Sequence, residues 1–241
     1  MKGVILAGGK GTRLEPFTKI INKHLLPVGS HPMIYWPIIS LVRAGIEDIL
    51  IITNEEDVNE FKTVFGNGKD LQARLSFAVQ KESGGGIANA IKCAKDFIDD
   101  KFIVLLGDNL FDDDLKPYVE EYKGEKKGAK VLLKDVKDPE RYGIAMLNES
   151  NHSIISITEK PKNPVSTFCV TGIYFYDKNV FDLIETLQPS SRGELEITDL
   201  NNLYICRNEL KYNILKGWWQ DAGTHKSLFE ANKHFFDKET K

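Results

Sequence analysis

Hydrophobic positions cluster in short unbroken runs, Val4-Ile5-Leu6-Ala7, Ile49-Leu50-Ile51-Ile52 and Ile103-Val104-Leu105-Leu106. A run without polar alternation predicts a strand covered on both faces, as in a parallel sheet. Between these runs the period lengthens to that of a helix. Residues 33–44 follow Pro32, a favoured first-turn residue. Residues 55–65 follow Asn54, a good N-cap, with Asp57 in the first turn. Residues 87–98 place Ile87, Ala90, Ile91, Ala94 and Ile98 on one helical face. Strand and helix thus alternate as in an open, mostly parallel α/β sheet flanked by helices. Beyond residue 130 the pattern changes. Residues 131–136, 143–147, 154–158 and 170–176 read as strands separated by turns, with few helices until 179–187. That predicts an antiparallel sub-region added to the parallel layer. A helix over 195–206, a strand over 211–216 and a terminal helix over 224–236 follow. No linker or repeat interrupts the pattern. It reads as one domain over 1–241, with parts at about 1–128 and about 129–223 and a terminal helix in 224–241.

Composition narrows what such a domain can do. The chain has 241 residues, 41% hydrophobic and 28% charged, enough for a full core. Its 32 Lys+Arg against 35 Asp+Glu leave a net charge of −3. No bulk field calls for nucleic acid or an anionic membrane, so an anionic ligand must be held by local cations. Three cysteines, none in a CxxC pair, suit a reducing compartment. No apolar stretch approaches the ~20 residues of a membrane span. The apolar run at the N-terminus stops at Gly8-Gly9-Lys10, short of the ~7–15 residues of a signal peptide core. The expectation is a cytoplasmic chain.

The candidate chemistry sits where predicted strands end. The first runs into Gly8-Gly9-Lys10-Gly11-Thr12-Arg13-Leu14. Glycines after a strand let backbone N–H groups form an anion nest, and the Arg13 guanidinium suits a polyphosphate. The loop matches neither GxGxxG, because Leu14 stands at the last glycine, nor Walker A, because Gly11 follows Lys10. Lys23, in Asn22-Lys23-His24-Leu25-Leu26-Pro27, is either a solvated surface lysine or a cation at a site edge. Asp108, in Leu105-Leu106-Gly107-Asp108-Asn109, lies at the carboxyl end of a strand, where open α/β sheets bind ligands. A carboxylate there suits Mg²⁺, and a helix cap is the plainer reading. Asp112, Asp113 and Asp114 look like such turn and cap residues. Asp221, in Trp218-Trp219-Gln220-Asp221-Ala222-Gly223-Thr224, is a second candidate acid that only the fold could bring to Asp108. Tyr142-Gly143 opens a strand, and Glu159-Lys160 closes one with an acid and a base. Surface Glu–Lys pairs are usually only solvated. Trp36, Phe168, Tyr174, Phe175 and Tyr176 read as packing, His225 as a helix-start residue, and Cys93 as a core thiol.

Taken in order, GGKGTRL-x-P-x-T, K-x-LLP, LLGDN, DPERYG, EKP, VTGIYFYD, RGELEITD and WWQDAGT resemble the sugar-1-phosphate nucleotidyltransferases, from Lys2 to about Asn232. DPERYG, VTGIYFYD and RGELEITD point to the thymidylyltransferase branch. The resemblance implies the nucleotide-diphospho-sugar transferase fold, with nucleotide binding in the first part of the domain and sugar-phosphate binding in the second. It implies dTTP and glucose 1-phosphate as substrates, Mg²⁺ as cofactor, and room for a homo-oligomer. Leu6, Gly8, Gly11, Thr12 and Arg13 would line the nucleotide. Gln80 would read the pyrimidine edge beside Gly84, Gly85 and Gly86. Lys23 would meet the reacting phosphates, and Asp108 and Asp221 would hold Mg²⁺. Tyr142, Gly143, Glu159, Lys160, Val170, Thr171 and Arg192 would bind the sugar phosphate. Arg13, Lys23 and Lys160 would be the catalytic cations. Three departures stand out. The stretch 80–89 is one residue longer and richer in glycine, and Asn89 replaces a common Gln. Gln220 sits in an otherwise apolar slot. The chain stops after its final helix, where longer relatives carry a regulatory segment. UTP or CTP, another sugar 1-phosphate, or a non-catalytic nucleotide-sugar regulator remain alternatives.

Overall fold

The computed structural model describes residues 1–80, 85–148 and 150–239. The elements run β1 (Lys2–Leu6), β2 (Pro27–Val28), β3 (His31–Pro32), α1 (Tyr35–Arg43), β4 (Asp48–Thr53), α2 (Val58–Phe65) and β5 (Arg74–Val79). Then come α3 (Gly86–Lys92), β6 (Phe102–Leu106), β7 (Asn109–Phe111), α4 (Lys116–Gly124), β8 (Ala129–Asp135), β9 (Gly143–Asn148) and β10 (Ser153–Glu159). The chain closes with β11 (Phe168–Tyr176), α5 (Val180–Ile184), α6 (Ile197–Cys206), β12 (Leu210–Ile214), β13 (Trp219–Asp221) and α7 (His225–Glu239). They form two compact units. The first comprises residues 2–83, 105–116 and 217–241; the second comprises Met1, 84–104 and 117–216.

The first unit contains the parallel layer. β1, β4 and β5 pair in parallel, Leu6 opposite Ile52 and Ile52 opposite Ala78. Val4, Ile5, Ile49, Ile51 and Ile52 are fully buried, as their unbroken apolar runs require. β6 ends beside β1, with Gly107 N donating to Leu6 O at 3.0 Å. β7 and β13 form a short antiparallel pair. Beneath them Val28, Met33, Leu110, Ala222, Ala231 and Phe235 make one buried cluster, with Trp36 packed against it. The tryptophan is packing, as its sequence suggests.

The second unit is the antiparallel sub-region. β10, β9, β11 and β8 pair antiparallel in that order, and β12 adds in parallel to β8. Along β11 the register to β8 slips between Val170 and Tyr174. Tyr174, Phe175 and Tyr176 are buried there, and α3, α5 and α6 pack on one another.

Several boundaries move. α2 begins at Val58 rather than 55, because Asn54 does not cap it. The Asn54 amide instead donates to Asp57 Oδ2 at 2.9 Å, and residues 54–57 form a turn. α3 ends at Lys92, and Cys93, expected in the core, is half-buried at that terminus. β5, β7 and β13 were not evident from the hydrophobic pattern. β5 alternates exposed Arg74 and Ser76 with buried Leu75, and β7 and β13 span three residues each.

Candidate active site

In the first unit the glycine-rich loop folds onto Lys23. Gly11 has φ of 65°, a left-handed conformation open to glycine at little cost. A Cβ there would lie 2.9 Å from Thr18 Cγ2 and 3.0 Å from Lys23 Cβ. A Cβ on Gly9 would lie 3.4 Å from Lys23 Nζ. Thr12 and Arg13 follow in an exposed 3₁₀ turn, and Leu6 is buried at the strand end. Gly8 faces Gln80, whose Oε1 is 2.8 Å from where a Cβ would be.

Lys23 is the cation at a site edge rather than a solvated lysine. Its side chain is 13% exposed and Nζ forms a direct ion pair with Asp108 Oδ2. The fold also supplies the partner acid that the sequence left distant. β13 pairs with β7 so that Asp221 lies opposite Asn109, and Ala222 N donates to Asp108 O at 2.9 Å. A Cβ on Gly223 would lie 2.8 Å from both Arg13 Nη2 and Asp221 Oδ1, so the guanidinium and that carboxylate share one corner.

The electrostatics are unequal. Burial alone would raise the Asp108 carboxyl, but the Lys23 ammonium and the Asn109 amide, 3.2 Å from Oδ1, hold it well below the usual range. Asp221 moves the other way: burial pushes it up, and the Asp108 charge pushes it further. Two neighbouring carboxylates thus meet two cations, Lys23 at Asp108 and Arg13 at the Asp221 corner. Among the described residues no third His, Cys, Asp or Glu completes a cluster. That donor set fits a hard divalent cation, which takes one or two carboxylates and fills its shell with phosphate and water.

Residues without a role in the sequence reading frame this pair. Asn22 caps the 3₁₀ turn Lys23–Leu25, and His24 is 2% exposed beside it. Burial, and then the adjacent Lys23 ammonium, push the His24 imidazole down to about 3, so it is neutral at physiological pH. Asn109 Oδ1 accepts from Trp219 Nε1 at 3.0 Å and ties β7 to β13. An asparagine opening a turn was the visible signal for Asn22. Of the three neighbouring acids, Asp114 Oδ1 accepts from Lys116 N at 2.9 Å, the expected cap, and Asp113 Oδ1 accepts from Gly217 N at 2.7 Å. His225 opens α7, and its ring bonds to Glu15 O at 2.8 Å.

The second unit gathers the other candidates. Glu159 pairs with Gly143 across β9 and β10, and Glu159 Oε2 accepts from Thr198 Oγ1 at 2.7 Å. Lys160 has φ of 42°, left-handed backbone that is uncommon away from glycine. Its N–H donates to Tyr142 O at 3.0 Å, and Nζ lies 3.3 Å from Glu159. Backbone strain of this kind gathers at ligand sites.

Two of the expected sugar-phosphate residues already have bonds of their own. Thr171 is 1% exposed and its hydroxyl donates to Leu132 O at 2.8 Å, so the sheet uses the side chain and only backbone remains for a ligand. The Arg192 guanidinium is already engaged by carboxylates. Its Nη2 donates to Glu196 Oε2 at 2.7 Å and its Nε to Glu196 Oε1 at 3.1 Å, and Glu159 lies 3.5 Å away. The Glu196 pairing raises the Arg192 guanidinium. Val170 is half-buried at the register slip in β11. Gly85 O accepts from Leu195 N at 2.9 Å, which ties Gly85 and Gly86 to the RGELEITD segment. Lys81 to Gly84, the rest of the expected base-contacting loop, lie outside the described residues.

Comparison with known proteins gives this geometry a setting. The family described as nucleotidyl transferase matches residues 2–238. A glucose-1-phosphate thymidylyltransferase of Neisseria meningitidis is 46% identical over 235 residues, 96% of this chain and 81% of that protein. One from Xanthomonas campestris is 44% identical over 234 residues, 95% of this chain and 79% of that protein. A Bacillus anthracis structure described under the same enzyme name, solved with sucrose, superposes with a TM-score of 0.93 at 52% identity, covering 98% of this chain and 96% of that one. It has the same fold, and the open α/β architecture with an antiparallel sub-region holds.

Proposed function

Because the chain belongs to the nucleotidyl transferase family, we propose that its two residue clusters serve one reaction. That reaction is transfer of the thymidylyl group of dTTP to α-D-glucose 1-phosphate, giving dTDP-glucose and pyrophosphate. The observation that carries this reading is the meeting of Arg13, Lys23, Asp108 and Asp221 beside the glycine-rich loop. In the reaction one oxygen of the sugar phosphate attacks the α-phosphorus of dTTP in line. The bond from that phosphorus to the bridging oxygen breaks, and pyrophosphate leaves with the electron pair. A phosphate dianion is already a nucleophile, so no general base is required.

The barrier is repulsion between two polyanions, and positioned cations lower it. Arg13 and Lys23 offset the triphosphate charge, and Gly11 and Thr12 line its path. Gln80, with Leu6, Gly8, Gly85 and Gly86, receives the base. Lys160 meets the sugar phosphate. Glu159 accepts from sugar hydroxyls, with Tyr142, Gly143, Val170 and the Thr171 backbone around it. Arg192 joins them where a phosphate displaces Glu196. Mg²⁺, held by Asp108 and Asp221, would neutralise further phosphate charge. The reading includes a cytoplasmic location and one functional domain over 1–241. Three cysteines without a disulfide support the first, and no helix among the described residues is long and apolar enough to cross a membrane.

The test is pyrophosphate release from dTTP, glucose 1-phosphate and Mg²⁺. Turnover is expected, and none above a no-enzyme control would sink the reading. A triphosphate panel completes it. Thymine and uracil share one hydrogen-bonding edge and differ by a methyl group worth about 1–3 kcal/mol. The expected kcat/KM preference for dTTP over UTP is therefore about tenfold or more, and a preference for UTP would move the reading to uridylyl transfer.

A further inference from the structure

Behind Lys23 lies a hydrogen-bonded chain that reaches none of the groups assigned to substrate. Asn22 Nδ2 donates to Asp57 Oδ2 at 2.7 Å and to Ala7 O at 3.1 Å. Asp57 Oδ2 also accepts from Asn54 Nδ2 at 2.9 Å. On its other side Asn22 Oδ1 accepts from His24 N at 2.9 Å and lies 2.8 Å from His24 Nδ1. These partners leave the amide one orientation. Reversed, it would turn its NH₂ toward the His24 donors and its oxygen toward a carboxylate and a carbonyl. Nδ1 of His24 therefore carries the proton and donates to Asn22. The ring's far edge lies against Gly107: a Cβ there would be 2.7 Å from His24 Cδ2 and 3.2 Å from Nε2. The imidazole is thus wedged between the residue before Lys23 and the residue before Asp108. Asn22 and His24 are 7% and 2% exposed.

We propose that Asp57, Asn22 and His24 form a positioning chain that fixes Lys23 against Asp108, so that the phosphate cation and the metal carboxylate are set before substrate arrives. His24 is a positioning residue: it acts through Lys23 and Asp108, by orientation rather than by proton transfer. Asn22 and His24 are buried and their hydrogen bonds match donor to acceptor, with half-buried Asp57 at the outer end; a satisfied polar network rigidifies the groups it supports. The inference rests on the nucleotidyltransferase reading for its kinetic consequence and on the geometry alone for its effect on Lys23.

His24→Phe keeps an aromatic ring, somewhat larger, and removes the Nδ1 donor, whereas His24→Asn restores a donor at the Nδ1 position. Expected for His24→Phe is a fall in kcat of at least twentyfold, with both KM values changed less than threefold and recovery to within fivefold in His24→Asn. A second readout needs no turnover. Acetylation of Lys23 by acetic anhydride, followed by peptide mass spectrometry with exposed Lys116 as reference, should speed up at least fivefold in His24→Phe. Should that variant not fold, Asp57→Ala decides, because the Asp57 side chain makes no cap bond to α2. It should lower kcat three- to fivefold and speed Lys23 acetylation at least twofold. Unchanged Lys23 acetylation in the folded variants overturns the inference, as does an equal kcat loss in His24→Phe and His24→Asn. An inactive wild type overturns the functional reading instead, while the acetylation rates still decide the positioning chain.

Discussion

Asp221 shows how much one residue's role depends on what the fold places beside it. Its carboxyl is pushed above the ordinary value of 3.8 by burial and by Asp108, so the metal-free native state binds a proton that the unfolded chain has released. Stability from this group is complete below that ordinary value and is lost as pH rises through the raised one. At pH 7.5 ionised Asp221 is a liability. Asp221→Asn removes the charge and keeps an oxygen for Gly223 N, which now donates to Oδ1 at 2.9 Å. In EDTA at pH 7.5 the variant should melt above wild type. The gap should close toward pH 4. Mg²⁺ should raise the wild-type Tm and leave the variant unmoved, because only the wild type gains from binding. Thermal melts over pH and Mg²⁺ check this: a variant less stable than wild type in EDTA would overturn the raised Asp221 carboxyl, and a wild type unmoved by Mg²⁺ would overturn the metal assignment. The sequence showed that Asp108 and Asp221 were acids at strand ends. It could not show that their carboxyls shift in opposite directions, which comes from burial, from a lysine brought in from elsewhere and from their own proximity. The same holds for Arg192: its charge was plain in RGELEITD, but its capture by Glu196 four residues on depends on the local backbone.

Elements were legible where one force dominated. Unbroken apolar runs gave β1, β4 and β6, because a strand buried on both faces leaves no room for polar alternation. β7 and β13 were not legible. Three residues each carry too little pattern, and the sequence Trp219-Gln220-Asp221 has no periodicity to read. What forms that pair is the layer beneath it. Phe235 of α7 packs with Leu110 of β7 and with Ala222, directly after β13, and Trp36 stacks on it at 4.0 Å between ring centroids. α7 is also pinned by His234, 2.9 Å from Asp112 Oδ1. Phe235→Ala should therefore cost about 3–5 kcal/mol and lower Tm by roughly 10 °C. Since the cluster supports the strand that carries Asp221 and the strand that begins directly after Asp108, Mg²⁺ should also stabilise this variant less than it does wild type. Melts with and without Mg²⁺ measure both effects. A Tm within 2 °C of wild type would show that α7 does not underpin the pair, a threshold near the ~1 kcal/mol expected of an ordinary substitution.

At the scale of the molecule, a net charge of −3 coexists with two clusters of paired cations and carboxylates built from different parts of the chain. Arg13, Lys23, Asp108 and Asp221 all belong to the first unit, whereas Glu159, Lys160, Arg192 and Thr198 all belong to the second. Each cluster is closed within its unit by its own bonds, Lys23 to Asp108 in one and Thr198 to Glu159 in the other. Binding of the two substrates should therefore separate in mutants, though turnover needs both. Lys160→Asn removes the ammonium while tolerating the left-handed backbone, and Glu159→Gln removes an acceptor charge. Each should raise KM for glucose 1-phosphate about tenfold or more and lower kcat/KM about a hundredfold. Calorimetric binding of dTTP with Mg²⁺ should stay within twofold of wild type. Arg13→Ala should do the reverse and weaken dTTP binding about tenfold while leaving the sugar-phosphate KM nearly fixed. Were Lys160→Asn to weaken dTTP binding as much as Arg13→Ala does, the charges could not act as two local sets. The excess of acid over base would then have to be explained by one shared field, which falls off within about 8 Å at physiological salt. That range makes local clusters the only economical way for an acidic chain to hold two phosphate-bearing ligands.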